Sequence, residues 1–354
     1  MPKRLGKGLY ERIISMDNLL AADLEAQKGK TGRGVVIAHN AKREEELLRL
    51  HEALRDKTYT PSPYRKFRVY EPKEREISCQ PFYPECILYH AINRTLGKAW
   101  TRTFPYNSYA CIKGRGITAC ARHVRRTLDS YRREGKKCYA LKMDIRHFYP
   151  SVDGEVMKSV IRRKVKCKDT LWLLDRIIDS AEGLPIGNYI SQFLANLLMS
   201  YFMHEMSDVF KADCVEYSDD IIVFSDNKAF LHGLFHDFIE PYIAETLKLT
   251  IKGNWQVFPI AKNKGDRKGR ALDYVGYLFY MEHTGLRKST KMRFARRVSA
   301  MRKKGISGVR LAKKSSSWTG WCKHADCNNL VKTVMLQEAR FVRYINNSNI
   351  KTAA

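Results

Sequence analysis

Apolar positions recur along this chain in two rhythms, and the places where the rhythm changes mark its organisation. Over residues 1–60 charged positions dominate, and Leu47, Leu48, Leu50 and Leu54 in EEELLRLHEALRDK give an apolar face at helical spacing. The stretch Thr58–Pro63 breaks that helix. From Tyr64 to Ser78 the rhythm shortens. Phe67, Val69 and Ile77 in YRKFRVYEPKEREIS predict two short strands joined by a turn at Glu71–Glu74, a basic hairpin. Pro84 opens a helix over ECILYHAINRTLGKAW. A second helix follows the Gly114/Gly116 turn, with Ile117, Ala121, Val124, Leu128 and Tyr131 on one side. Arg122, Arg125, Arg126, Arg132 and Arg133 punctuate this second helix, either as a solvated face or as a nucleic-acid contact.

The segment CYALKMDIRHFYPSVD predicts a short buried strand that runs into Asp144 and then aromatics, followed by helix to about Ser180. After a GLPIGN turn, Phe193, Leu194, Leu197, Leu198, Tyr201 and Phe202 predict a helix packed on something flat. In CVEYSDDIIVFSD two apolar runs flank Ser218–Asp219–Asp220, which predicts a β-hairpin with two carboxylates at its tip. Beyond it we expect a helix from Leu231 to Leu247 and strands around Thr250–Val257 and Leu272–Tyr280. A tail from Arg287 is dense in Lys and Arg, keeps a few apolar anchors, and reads as helices laid on phosphates.

Composition sharpens this picture. The 354 residues carry 64 Lys+Arg against 37 Asp+Glu, a formal net charge of +27, with 44% hydrophobic and 11% aromatic positions. That length suggests about two or three structural units, and the apolar content excludes a disordered or fibrous chain. No run approaches the ~18 apolar residues of a membrane span. The start, MPKRLGKGLYERII, lacks the apolar core of a signal peptide, so a cytoplasmic protein without membrane contact is expected. A surface so basic concentrates polyanions, above all nucleic acid. Nine cysteines, an odd number, fit reduced core thiols better than a disulfide framework. Cys322, His324 and Cys327 offer three zinc ligands, with no fourth at a zinc-finger distance.

The candidate chemistry lies in Asp144 at a strand end and Asp219–Asp220 at a hairpin tip. Adjacent carboxylates repel unless a cation neutralises them. Hard divalent cations suit oxygen ligands and complete their shells with substrate phosphates. Two such ions ~3.5–4 Å apart clamp the attacking and leaving oxygens of a phosphoryl transfer.

The residues flanking these carboxylates carry a family likeness. Tyr217-Ser218-Asp219-Asp220, preceded by Leu141-Lys142-Met143-Asp144-Ile145-Arg146-His147-Phe148-Tyr149-Pro150 and by Gly183-Leu184-Pro185-Ile186-Gly187-Asn188-Tyr189-Ile190-Ser191-Gln192, resembles the reverse transcriptases. The likeness extends to Arg75-Glu76-Ile77, Tyr109-Ala110-Cys111, the Lys248–Lys252 stretch and Tyr274-Val275-Gly276-Tyr277. Most members carry Gln-Gly and Ser-Pro where this chain has Ile186-Gly187 and Ser191-Gln192. In that respect, in its compact length, and in Ser317-Trp318-Thr319-Gly320, it is similar to the enzymes of diversity-generating retroelements. The last segment, by that resemblance, puts Cys322 and Cys327 inside a thumb helix.

The resemblance implies an α+β right-hand polymerase. Its parts would be an N-terminal helical extension (1–60), fingers with a palm-facing helix (61–136), a palm with an antiparallel sheet (137–283, with a fingers segment inserted around 154–190) and a helical thumb (284–354). It implies that Asp144 and Asp219 bind two Mg²⁺ ions, for which Mn²⁺ substitutes, with Asp220 as third carboxylate and the Ile145 carbonyl as a further ligand. Tyr149 matches the aromatic gate that excludes a ribose 2′-OH. Arg75 matches a triphosphate clamp with Lys73 as a mobile second, although either also suits a template contact, and Gln192 joins the dNTP site. Ile112 stands where relatives often have Arg, which leaves Lys113 or Arg115 to supply that charge. The proton for the leaving pyrophosphate falls to Lys252 or to Lys248. Ile186 and Gly187 face the template and bear on fidelity. Expected partners are template RNA and its RNA/cDNA duplex, dNTPs, and a small basic accessory protein that forms a pentamer. The expected source is bacterial, phage or prophage. The implied activity is copying an RNA into adenine-mutated cDNA that replaces a variable repeat, with a retron-like or abortive-infection reverse transcriptase, or a non-catalytic RNA-binding scaffold, as competing readings.

Overall fold

A computed structural model of the protein describes residues 4–70 and 74–336. Four helices open the chain: α1 (Leu9–Ile14), α2 (Met16–Gln27), α3 (Gly34–Ala41) and α4 (Arg43–Arg55). In α4 the residues Leu47, Leu50 and Leu54 are buried, while Leu48, one position off that stripe, is 50% exposed. Glu44, Glu45 and Glu46 sit in its first turn, where carboxylates favour the positive end of the helix dipole. Strands β1 (Arg65–Val69) and β2 (Arg75–Cys79) pair antiparallel with Phe67 opposite Ile77, as expected of the basic hairpin. The turn residues 71–73 lie outside the described residues.

Helix α5 (Ile87–Thr101) follows, then α6 (Ile117–Arg133), β3 (Tyr139–Asp144), α7 (Phe148–Ser151), α8 (Gly154–Arg162), α9 (Lys168–Ile178) and α10 (Ser191–His204). Next come β4 (Asp213–Tyr217), β5 (Asp220–Ser225), α11 (Lys228–Leu234), β6 (Gln256–Pro259), β7 (Leu272–Tyr274), β8 (Tyr277–Phe279) and β9 (Thr284–Leu286). The described chain closes with α12 (Lys288–Lys303), α13 (Gly308–Lys314), α14 (Ser316–Cys322) and α15 (Asn328–Met335). The result is a mixed α+β fold, as the sequence predicts.

Two compact units divide these elements. The first comprises Met1–Cys111, Asp144–Lys211 and Leu234–Gly253. At its centre α10 is buried on nearly all sides, through Leu194, Ala195, Leu197, Leu198 and Phe202, which is why its sequence is apolar beyond a single stripe. The second comprises Ile112–Met143, Ala212–Gly233 and Asn254–Ala354. It contains a four-stranded sheet of order β4-β5-β3-β6 and a three-stranded sheet of order β7-β8-β9. Its C-terminal helices enclose a core of their own around Phe294, Val298, Met301 and Leu311. In the β7–β8 turn Gly276 has φ +88°, and a Cβ there would lie 2.4 Å from the Trp321 ring, which stacks on Tyr277 at 5.3 Å.

Several expected elements differ. The strand placed at Thr250–Val257 begins only at Gln256, because residue 251 contributes a single bridge to Ile145 before the chain turns. The run Leu272–Tyr280 is a hairpin bent at Val275–Gly276, with β9 as an unforeseen third strand. The helix leading to Ser180 is three helices, interrupted where the backbone of residues 164–166 pairs with Leu5. The helix expected from Leu231 starts at Lys228. Arg125 belongs neither to a solvated face nor to a free contact surface. Its guanidinium donates to the carbonyls of Tyr280 and Met281, each at 2.7 Å. Cys322 ends α14, whereas Cys327 lies outside any helix, immediately before α15.

Candidate active site

The β4–β5 hairpin is a plain consequence of its apolar runs. Cys214, Val215, Ile221, Ile222, Val223 and Phe224 are buried, and Tyr217 pairs with Asp220. That register leaves Ser218 and Asp219 as the turn, with Ser218 at φ +64°. Asp219 therefore sits at the tip, whereas Asp220 opens β5, one residue inside the position expected for it. The strand next to β5 in the sheet is β3, whose last residue is Asp144.

A residue whose role the sequence did not disclose supports Asp220. The Tyr274 hydroxyl donates to the Asp220 carbonyl at 2.9 Å. Tyr274 is fully buried, and burial, with Cys120, Asp220 and Glu216 nearby, pushes its hydroxyl well above the usual range, so it remains a donor at any physiological pH. The signal lay in the Tyr274–Tyr277 segment, which carries the family likeness without announcing this contact. Alongside, the Lys142 ammonium donates to the Asp273 carbonyl at 2.5 Å.

In the first unit Asp144 is held from two directions by one residue. The Lys252 ammonium lies 2.5 Å from Asp144 Oδ1, and the Lys252 N–H donates to the Asp144 carbonyl at 2.9 Å. Arg146 N–H donates to the Thr250 carbonyl at 2.7 Å on the far side of the Ile145–Ile251 bridge. These two bonds flank the bridged pair, so the N–H and carbonyl of Ile145 itself face away from residue 251. Lys248 is directed elsewhere, to Asp153 Oδ2 at 3.1 Å. The Asp153 carboxyl caps α8 at the Val156 N–H, and this bond, then Lys248, holds it below the usual carboxylate range. The two lysines that the sequence left as alternatives thus have separate partners.

Tyr149 lies in α7, and its carbonyl accepts the Leu184 N–H at 2.7 Å. Gly183, immediately before Leu184, has φ +67°, and a Cβ there would lie 2.4 Å from the Pro150 carbonyl oxygen. Ile186 is fixed to the β1–β2 hairpin: its carbonyl accepts the Ser78 N–H at 2.9 Å. At Gly187 (φ +126°) a Cβ would lie 2.9 Å from the Ser78 carbonyl and 3.1 Å from Ile77 Cγ2, so only glycine passes so close to β2. Gln192, in the first turn of α10, holds its Nε2 buried without a hydrogen-bond partner among the described residues. Arg75 opens β2 and is exposed. Lys113, in the second unit, is exposed beside buried Ile112. Lys73 lies outside the described residues.

Within the first unit the fold therefore joins Asp144 to Lys252, Tyr149 to the loop that carries Ile186 and Gly187, and that loop to the hairpin that carries Arg75. Within the second it mounts Asp219 and Asp220 on one hairpin. Among the described residues no three His, Cys, Asp or Glu side chains converge as a ready-made metal cage, Cys322, His324 and Cys327 included. The carboxylates remain suited to Mg²⁺, which takes one or two carboxylates and completes its shell with water and substrate phosphates.

A family model described as reverse transcriptase (RNA-dependent DNA polymerase) matches residues 73–252, about half of the chain. The chain belongs to the reverse transcriptase family. The matched reverse transcriptase domain runs from Lys73 through all three carboxylates to Lys252. Over 121 residues the chain is 30% identical to the retron Ec83 reverse transcriptase of Escherichia coli, covering 31% of this chain and 39% of that protein. Among solved structures it is similar to apo telomerase from Candida tropicalis, with TM-score 0.49, 12% identity and coverage of 83% of this chain and 59% of that one. It is also similar to telomerase from Candida albicans in complex with a TWJ fragment of telomeric RNA, with TM-score 0.48, 10% identity and coverage of 80% and 57%. The chain thus spans well under two thirds of the length of these relatives. No helix among the described residues is long and apolar enough to cross a membrane.

Proposed function

We propose that this reverse transcriptase is an RNA-directed DNA polymerase of the diversity-generating kind, which copies a template RNA into cDNA carrying errors at template adenines. The observation that carries this reading is Ile186, an aliphatic residue in a loop fixed to β2 through its own carbonyl. Its side chain packs against a base pair but offers no hydrogen bond to check one. Gln192 supplies an amide at the end of the same motif, and its Nε2, buried and without a hydrogen-bond partner among the described residues, suits a donor that waits for substrate.

Asp144, Asp219 and Asp220, with the Ile145 carbonyl that faces away from residue 251, are the oxygen donors that would hold two Mg²⁺ ions, or Mn²⁺ in their place. Bound there, the ions would supply Lewis acidity to activate the primer 3′-hydroxyl and to neutralise charge on the triphosphate. The chain's own residues do the remainder. Arg75 grips phosphate with its planar fork, with Lys73 and Lys113 adding charge. The Tyr149 ring excludes a 2′-hydroxyl. Lys252, held beside Asp144, carries on its ammonium the proton that the leaving pyrophosphate takes up. Partition of the chain into fingers, palm and thumb, retrohoming into a variable repeat, the pentameric basic accessory protein and a cytoplasmic bacterial, phage or prophage setting belong to the same proposal.

A second reading has its own support. The likeness to a retron reverse transcriptase over 121 residues favours a retron-like role in phage defence, with faithful cDNA from a structured RNA. Mg²⁺-dependent dNTP incorporation on an RNA template, with sequencing of the product, separates the two. The expected product has errors clustered at template adenines, and Asp219→Ala lowers its yield by at least about 10³-fold. Faithful cDNA favours the retron-like role, and product that is independent of Asp219 refutes both.

A further inference from the structure

A polar cluster in the first unit lies behind the Ile186–Gly187 loop. Asn188 Nδ2 donates to the Tyr64 hydroxyl at 3.0 Å and to Gln80 Oε1 at 3.1 Å, with the Tyr89 hydroxyl at 3.4 Å. Proton counting fixes the direction of each bond. Ser180 Oγ donates its one proton to the Ile177 carbonyl at 2.6 Å, so Tyr64, 3.0 Å from Ser180 Oγ, is the donor between them and offers Asn188 only lone pairs. Gln80 Nε2 donates to the Ser62 carbonyl at 2.7 Å, which turns Oε1 toward the Tyr89 hydroxyl and Asn188. The amide hydrogens of Asn188 thus meet acceptors that have no proton to return.

The partners come from three places outside the loop: Tyr64 before β1, Gln80 after β2 and Tyr89 on α5. The neighbour Tyr189 is tied as well, stacked on His90 at 4.0 Å and 8°, with Asn93 Nδ2 donating to its hydroxyl at 3.1 Å. Between these anchors and the Ser78–Ile186 bond the loop backbone has little freedom.

Resting on the polymerase reading above, we propose that Asn188 is a positioning residue for base selection. Its amide hydrogens hold the Ile186–Gly187 backbone against β2. The tolerance shown to a nascent base pair is therefore set by this hub as well as by the side chain of Ile186.

Asn188→Asp tests this in the full chain, since it keeps shape and replaces the donors with acceptors facing Gln80 Oε1 and Tyr64. Asn188→Ala removes them. Arg43→Ala, which loses a 2.6 Å contact to buried Asp23 in the N-terminal helices, serves as a destabilised control. Hydrogen exchange read by mass spectrometry is expected to quicken over residues 75–80 and 183–190 in both Asn188 variants and not in the control. In single-nucleotide kinetics Asn188→Asp should raise the dNTP KM by about tenfold, with a smaller change in kcat and an altered error spectrum. Wild-type exchange in that loop, or a KM and error spectrum matching Arg43→Ala, overturns the proposal. Should Asn188→Asp not fold, Tyr64→Phe, which deletes one acceptor, is expected to shift exchange and KM in the same direction by less, and no shift overturns the proposal. A wild-type enzyme that makes no cDNA sinks the polymerase reading while exchange still decides the hub. One that makes faithful cDNA sinks the adenine reading while the KM split still decides it.

Discussion

The chain contains two antiparallel hairpins of similar length that could hardly be built more differently. In β4–β5 almost every residue between the ends is buried, Val215 and Ile222 completely, and the carboxylates ride on a fixed base. In β1–β2 every residue of β1 is exposed, and Phe67 and Val69 present apolar surface to solvent. It is attached to the Ile186 loop by the Ser78 bond and the close pass of Gly187, and at its two ends by the Asn188 bonds to Tyr64 and Gln80. On the function proposed above, rigid mounting suits groups whose mutual placement decides the chemistry, and loose mounting would suit a hairpin that closes on an incoming triphosphate and opens again.

The contrast can be broken most forcefully at its rigid end. Asp219→Ala should abolish incorporation while leaving the melting temperature near wild type, because Asp219 occupies a turn rather than the core. Phe224→Ala, at 2% exposure, should cost about 3–5 kcal/mol of unfolding free energy by denaturant titration. Phe67→Ala, at 46% exposure on the other hairpin, should stay within about 0.5 kcal/mol. Equal losses at the two positions would erase the distinction. Arg75→Ala should raise the dNTP KM by about tenfold with stability unchanged, measured by steady-state incorporation and a thermal melt. The smallest effect belongs to Tyr274→Phe. Losing one buried donor to the Asp220 carbonyl should cost about 1 kcal/mol and lower Tm by about 2–4 °C.

How much of this was legible in the sequence depended on the distance over which each signal acts. The carboxylate hairpin was read from its own alternating residues, and Asp144 at a strand end from the apolar run before it. The helix stripe of α4 was read with one error, Leu48, since four leucines within eight positions do not all fit one face. Strands of three residues, as in β7, β8 and β9, are too short for a period to declare itself. The single bridge at Ile251 looked like a strand because its neighbours have strand character. The choice between Lys248 and Lys252 was beyond spacing, as each partner lies about a hundred residues away in sequence, at Asp153 and Asp144. The Asn188 hub was invisible for the same reason, since no local pattern joins Tyr64, Gln80 and Tyr89.

The packing of Trp321 on Gly276 reaches beyond stability into the history open to this protein. A methyl group at position 276 would enter the indole ring, and loss of the ring first would leave a hollow against Tyr277. Neither residue has a favourable first move. The pair is expected to be inherited as one character, with descendants of this sequence keeping both or exchanging both together.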